Sequence, residues 1–282
     1  MSTNHTCKVE ILQGLAYCPL FLLGFLVNAA AVRGLFAQRA SWTDTHIYIL
    51  NLAAADSALI LFLPFRIYNA FFCLPPNLFC TFLVNIHFIN MYASIFTSAA
   101  ISVHRYLTVQ FPLQARSWRR KKEAALAVCL TIWVFVVTIC IIFIEENYPQ
   151  KLWRCYERCK DERLKLQFFV TLVLAGFLAP LLIIVFCSSW LIFILLKQNT
   201  NSEERKSTIS MVTANMIVFI VCYTPIHVSF VVSYFSIPPK NWQSEQTIVP
   251  QSIFLHLSEW IASTNCCFDS ISYYFLLKKF YL

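Results

Sequence analysis

The sequence predicts an all-α membrane protein, a bundle of seven helices that each cross a bilayer. Two observations carry this reading. Only 13% of the 282 residues are charged and 59% are hydrophobic, for a mean hydropathy of +0.63, whereas a soluble domain carries about 25% charged residues. The apolar residues also gather into seven runs, at 11–36, 46–72, 79–110, 124–144, 166–196, 207–236 and 249–277. About 20 apolar residues cross a hydrocarbon core, and lipid offers no hydrogen-bond partners, so each run must satisfy its own backbone as a helix. A count of only 4 glycines and the lack of period-two alternation argue against a barrel. The first run lacks a cleavage signature and is long enough to span, so it reads as a helix rather than a secretory signal. The connections are short, which makes 1–282 one domain, with no repeat and no low-complexity segment.

Seven crossings place the termini on opposite sides, and Lys and Arg decide which is which. The loops that share a side with the C-terminus hold thirteen basic residues against nine on the other side, which favours a cytosolic C-terminus. Asn4-His5-Thr6 is a glycosylation sequon, read only in the lumen. Cys7, Cys73, Cys80, Cys155 and Cys159 fall on the same outward side, where oxidation is allowed. The basic run 118–122 suits an anionic inner leaflet. Residues 1–10 are therefore expected outside, 145–165 form the second extracellular loop, and 278–282 begin a truncated cytosolic tail.

The net charge of +8 is divided between the two faces, which excludes a nucleic-acid surface. Six basic residues fall within 151–165, together with Glu145, Glu146, Glu157, Asp161 and Glu162 in and beside that stretch. Either this loop pairs with itself, or it gives the outer mouth a positive field.

An ionisable residue inside a membrane helix is a functional hypothesis by default. Asp56 and Asp269 lie mid-run in the second and seventh helices, and Asn28, Ser94 and Asn265 complete a polar centre. Two carboxylates without a lysine either share a proton or hold a cation, so these residues are a candidate sodium site or a neutral network. Nearer the outer side stand Arg66, His87, His227 and Glu259. Glu259 shares a helix face with Asp269, ten residues being nearly three turns. Four polar residues at similar depth on four helices predict a lined cavity, and Phe88, Met91 and Phe230 complete the candidate ligand-binding set.

Nothing points to an enzyme, and no metal centre is expected. Cys266 and Cys267 are adjacent, so they do not make a C-x-x-C pair, and His5, His46 and His256 do not fall at metal spacings. Glycine-rich phosphate loops are absent. A transporter should show paired, broken half-helices, yet the prolines at 64, 180 and 225 do not repeat between halves.

Several short strings stand in a telling order: Asn28, "NLAAAD" with Asp56, Cys80, "HRY" at His104, Arg105 and Tyr106, Trp133, Pro180, "CYTP" ending at Pro225, and "DSISYY" from Asp269. In these the chain resembles a rhodopsin-like G-protein-coupled receptor from end to end. Through "TDTHIYILNLAAAD", "LPFR", "FCSSW" and "NCCFDSISYYFLLKKF" it is most similar to the subgroup associated with lysophosphatidylinositol and kynurenate-like acids. The resemblance implies a multi-pass receptor of the plasma membrane. Its partners would be an extracellular ligand, a heterotrimeric G protein and an arrestin. It also implies a disulfide from Cys80 to the second outer loop, with Cys155 favoured over Cys159, and a spare loop cysteine for Cys7. His104, Arg105 and Tyr106 would face the G protein, and Phe219, Tyr223, Pro225, Asp269 and Tyr273 would form the activation switch.

Departures from the family pattern set further expectations. His104 stands where an acid usually restrains the following arginine. A neutral imidazole cannot neutralise Arg105 and a protonated one repels it. The expectation is raised basal signalling, lowered by His104→Asp and increased by cytosolic acidification, unless Glu203 or Glu204 reaches across from the sixth helix. Tyr223 replaces a tryptophan, Ser270 replaces the proline of the seventh helix, and Ser188 replaces a tyrosine. Arg66 and His87 predict an anionic ligand, a lysophospholipid or small aromatic acid, with Arg66→Ala weakening potency roughly ten- to a hundredfold. Glu259 argues the other way, toward a zwitterion or a pairing with Arg66. No resident cofactor is expected beyond sodium. The rival readings are a chemokine or peptide receptor, for which Glu259 speaks, and a signalling-silent decoy or scaffold, for which His104 speaks. A retinal pigment is excluded, because 249–277 holds no lysine.

Overall fold

A computed structural model describes residues 11–37, 42–112, 122–159, 164–197, 203–236 and 250–278. They form seven long helices: α1 (Ile11–Ala37), α2 (Asp44–Phe72), α3 (Leu78–Gln110), α4 (Lys122–Ile142), α5 (Leu166–Lys197), α6 (Glu203–Ser236) and α7 (Pro250–Lys278). Each coincides with one of the seven apolar runs to within a few residues. Six of them, α1 to α6, are long and apolar enough to cross a membrane among the described residues. Glu259 and Asp269 lie inside the remaining one, α7. Asn4 and Cys7 lie outside the described residues, as do the side chains of Glu204 and Tyr273.

Helix α3 is the axis of the bundle and packs on α2, α4, α5 and α6. Helix α1 closes against α2 and α7, and α6 against α5 and α7. Helices α4 and α5 both lean on α3 but form no extensive contact with each other. The largest core cluster joins α3, α5 and α6 around Tyr92, Ile95, Phe177, Ile184, Phe219 and Ile226.

Local chemistry sets the helix ends. Thr43 opens α2, and its backbone N–H donates to His46 Nδ1 at 3.1 Å. Asn77 opens α3, its side-chain oxygen accepting from Cys80 N at 2.8 Å. Between Thr171 and Leu178, α5 widens into a π-helical stretch. Pro180 follows at once and withdraws a backbone donor, which loosens the ladder there.

The 145–165 segment is not a plain loop. Leu152–Arg154 (β1) pairs antiparallel with Glu157–Arg158 (β2), and Tyr156 in the turn adopts a left-handed φ of 68°. Cys155 anchors this hairpin over the bundle. It is disulfide-bonded to Cys80, its N–H donates to Leu74 O at 3.2 Å, and its carbonyl accepts from Asn69 Nδ2 at 3.2 Å. Cys73, beside it, is also in a disulfide.

Candidate functional site

Three polar assemblies sit at different depths, beginning at the end of the bundle that carries the disulfide. Arg66 and Glu259 are brought together there as a buried ion pair between α2 and α7. The guanidinium carbon lies 5.1 Å from the Tyr17 ring centroid and 4.7 Å from that of Tyr156. Arg66 Nε and Nη1 and the Tyr17 hydroxyl are buried without hydrogen-bond partners. Arg66 is thus already neutralised, which removes the simplest argument for it as an anion anchor. Tyr17 and Tyr156 were not foreseen from the sequence, because an aromatic in an apolar run carries no mark of stacking on a cation.

The hairpin settles the question of the basic loop. Glu146 is fully buried and accepts from Lys151 Nζ at 2.6 Å, Arg158 Nη2 at 3.0 Å and the Lys165 backbone N–H at 3.3 Å. Burial pushes this carboxyl up, but the cations and N–H donors around it outweigh that and hold it below the ordinary carboxylate range. Arg154 pairs with Glu157 at 2.6 Å, and Lys165 with Glu145 at 3.0 Å. Every basic residue on this side among those described is therefore matched by a carboxylate. Of the two readings of this loop, its described residues support the self-paired one rather than a positive field.

Below it, an apolar cavity of about 30 Å³ lies between α3, α4 and α5. Its walls include Phe88, Tyr92, Phe135, Cys140, Phe168 and Gly176, with Asn85 and Asn147 among its lining residues. Asn147 Nδ2 donates to Asn85 Oδ1 at 3.2 Å, while Thr81 Oγ1 donates to Asn147 O at 2.8 Å. Gly176 is required by contact: a Cβ there would meet Tyr92 Cε1 at 2.6 Å. This chamber was not foreseen either, since nothing in a sequence reports how far two helices diverge.

His227 lines neither this cavity nor the one described next. Its Nε2 lies 3.1 Å from Tyr92 Oη, its Nδ1 lies 2.8 Å from Tyr223 O, and its ring stacks on Phe177 at 4.3 Å. Both nitrogens are occupied, so His227 ties α6 to α3 rather than facing a ligand. Phe230 packs 6.2 Å from Phe88 and 5.8 Å from His227, centroid to centroid.

His87 and Met91 line a second cavity, of about 10 Å³, with Asp56, Asn90, Ser94, Tyr223, Ser263 and Asn265. Asp56 Oδ2 is buried there without a hydrogen-bond partner, and Asn265 Nδ2 donates to Asp269 Oδ2 at 2.6 Å. An orphaned carboxylate oxygen beside a hydroxyl and an amide fits a small monovalent cation. No cluster of three or more His, Cys, Asp or Glu suited to a metal occurs among the described residues. Ser270 links α7 to α1. Its hydroxyl donates to Asn28 Oδ1 at 2.7 Å, while Asn28 Nδ2 donates to Gly24 O and Cys266 O. Phe219 and Tyr223 are buried below, with their rings 5.2 Å apart.

At the opposite end, His104 Nε2 lies 2.7 Å from Asp44 Oδ2 on α2. Tyr106 packs edge-on against Phe186 of α5. Glu203 is exposed and pairs with Lys206 on its own helix at 3.1 Å, rather than reaching toward α3.

Residues 27–273 match the family model described as the 7 transmembrane receptor (rhodopsin family). The chain is a rhodopsin-family receptor. It is 32% identical to the human G-protein coupled receptor 55 over 96% of its own length and 87% of that receptor's. It is 33% identical to the mouse G-protein coupled receptor 35 over 93% and 83% of the two lengths. It is 28% identical to the chicken Lysophosphatidic acid receptor 6 over 97% and 92%. These are receptors and not enzymes. Membership makes this a multi-pass membrane receptor, and the family implies a G-protein partner and an extracellular ligand.

Proposed function

We propose that this receptor answers an extracellular anionic amphiphile of the lysophospholipid class by activating heterotrimeric G proteins at the plasma membrane. The observation that carries this is the apolar cavity between α3, α4 and α5. It suits an alkyl chain far better than a small aromatic acid, and the divergence of α4 from α5 gives such a chain a route from the bilayer. The name of the chicken relative, a lysophosphatidic acid receptor, agrees with the same class. Phe88, from the candidate set, is one wall of this chamber. Asn147 follows Glu146 of the Glu146–Lys151–Arg158 cluster, where a phosphate would compete with the Glu146 carboxylate for the two cations. Arg66, His87 and Glu259, with the apolar Met91 and Phe230, complete the ligand-contact set, and Arg66 keeps its Nε and Nη1 donors for a ligand acceptor.

In this reading the disulfide end, with the N-terminus, is extracellular and Asn4 is available to glycosylation. His104, Arg105 and Tyr106 face the G protein, and arrestin shares that end. Phe219, Tyr223, Pro225, Asp269 and Tyr273 form the moving core. A sodium ion would be held by Asp56 with Ser94 and Asn265, and would add a fixed positive charge beside Asp269.

Nucleotide exchange on G protein, in membranes bearing the receptor, tests this with lysophospholipids of graded chain length and head group and with chain-free aromatic acids. Burying one methylene is worth about 0.8 kcal/mol, so removing two carbons should weaken potency roughly tenfold. Cys140→Trp, which fills the cavity, should abolish the chain-length dependence. A chain-free acid as potent as the best lysophospholipid would overturn the reading.

A further inference from the structure

At the disulfide end, four elements meet around one histidine. His256 of α7 presents Nε2 to Glu157 Oε1 of β2 at 3.4 Å and Nδ1 to Glu259 Oε2 at 3.8 Å. Its Nδ1 also lies 3.1 Å from Gln13 Nε2 of α1. An amide nitrogen is a donor, so in the neutral ring Nδ1 accepts from Gln13 and Nε2–H points to Glu157. Among the described residues, the charged groups facing this centre are Glu157 and Arg154 from the hairpin, Glu259 from α7, and Arg66 from α2 behind Glu259. Tyr156, Tyr17 of α1 and His87 of α3 complete the titratable surroundings. His256 is only slightly exposed, at 14% of its side chain.

We propose that His256 is a proton-receiving site through which acidification of the medium at this end fastens the hairpin to α7. The second proton goes to Nδ1. It leaves Gln13 without an acceptor there, so the Gln13 amide must turn its oxygen toward the ring. The imidazolium then stands between two carboxylates on opposite edges, one on the hairpin and one on the helix. Charge-assisted hydrogen bonds are about twice as strong as neutral ones. The hairpin is already tied to α3 by Cys80–Cys155, so a charged His256 holds the hairpin and α7 together beside the Arg66–Glu259 pair. The effector is the proton itself, acting over the range in which histidine ordinarily titrates.

The sign follows from which form the fold favours. A folded state that binds the proton better than the unfolded chain gains stability as pH falls. Burial works against the Glu157 carboxylate, but the His256 and Arg154 contacts hold it below the ordinary range. It therefore stays ionised, and its own contribution is not lost between about pH 7.5 and 5.5. Which compartment is sensed follows from the orientation proposed above, whereas the clamp itself needs neither the ligand nor the G protein.

The experiment uses the full chain in nanodiscs, ligand-free, measured between about pH 7.5 and 5.5, across the histidine range. Hydrogen exchange at 152–158, corrected for the intrinsic pH dependence, should slow several-fold at the acid end, and the unfolding midpoint should rise by about 2–4 °C. His256→Asn should remove the pH response, and Glu157→Gln should weaken it. Equal slopes for wild type and His256→Asn would overturn the proposal. So would unchanged protection of 152–158 in the wild type, a result that does not depend on any variant folding. Failure of the lysophospholipid panel would leave these outcomes untouched.

Discussion

His104 Nε2 and Asp44 Oδ2, sixty residues apart in sequence, stand 2.7 Å from each other and join α3 to α2. The residue that takes the place of an acid at position 104 is thus itself paired with an acid from another helix. A protonated His104 meets a carboxylate before it can repel Arg105. The repulsion of Arg105 expected from the sequence is therefore offset at this contact by a carboxylate. Asp44→Asn should raise basal exchange several-fold at matched surface expression, since a charge-assisted bond is worth about 1.5–3 kcal/mol. Exchange assays on membranes bearing the wild type and the variant provide the check.

Arg66→Ala leaves Glu259 buried and uncompensated. Breaking a buried pair from one side costs about 3–5 kcal/mol, whereas replacing both partners is often neutral. Thermal unfolding in detergent should show a large loss for Arg66→Ala and recovery in Arg66→Met with Glu259→Gln. If the single variant unfolds like the wild type, the pair does not hold α2 to α7.

Cys155→Ser should abolish the bond to Cys80 and cost about 2–5 kcal/mol. Cys159→Ser should leave that bond in place. Peptide mapping of non-reduced protein distinguishes the two variants.

Glu146→Gln keeps the size of the side chain but deprives Lys151 and Arg158 of their counter-charge, for a loss of about 1–3 kcal/mol. Its carboxyl is held below the ordinary range. The stability it supplies is therefore present above the unfolded carboxylate pKa and is lost only as pH falls through the lower folded value. The wild type and the variant should converge only in strong acid, as read from unfolding midpoints below about pH 4.

Gly176→Ala drives Tyr92 off its present rotamer and breaks its contact with His227. Overpacking of this kind costs about 1–3 kcal/mol. Tyr92→Phe removes the hydrogen bond alone and should cost less. Unfolding midpoints of the two variants, measured side by side, test that order.

Much of this architecture was legible because lipid enforces a simple rule. Seven uninterrupted apolar runs had to be helices, and they are. The bond from Cys80 to Cys155 was legible through the family resemblance, which favoured Cys155 over Cys159. The opposite fate of Arg66 was not legible: its pairing with Glu259 spans 193 residues, and the sequence pointed to an anionic ligand, with a zwitterion or an internal partner only as the alternatives that Glu259 raised. The same holds for Asp44 and His104. The self-pairing of 145–165 depends on a hairpin register that no alternation announced, since β1 and β2 are only three and two residues long. His227 misled because a histidine facing a phenol across two helices has the same sequence signature as one facing a cavity.

The parting of α4 from α5 also bears on how potency is measured. For a ligand that enters between these helices, as proposed above, the concentration that matters is the one within the membrane, not in the buffer. For an amphiphile that partitions strongly, doubling the lipid in an assay at fixed total ligand dilutes the solute this wall encounters. Dose–response curves then shift with vesicle content while the intrinsic affinity stays constant, and the quantity to compare between preparations is the mole fraction in the bilayer.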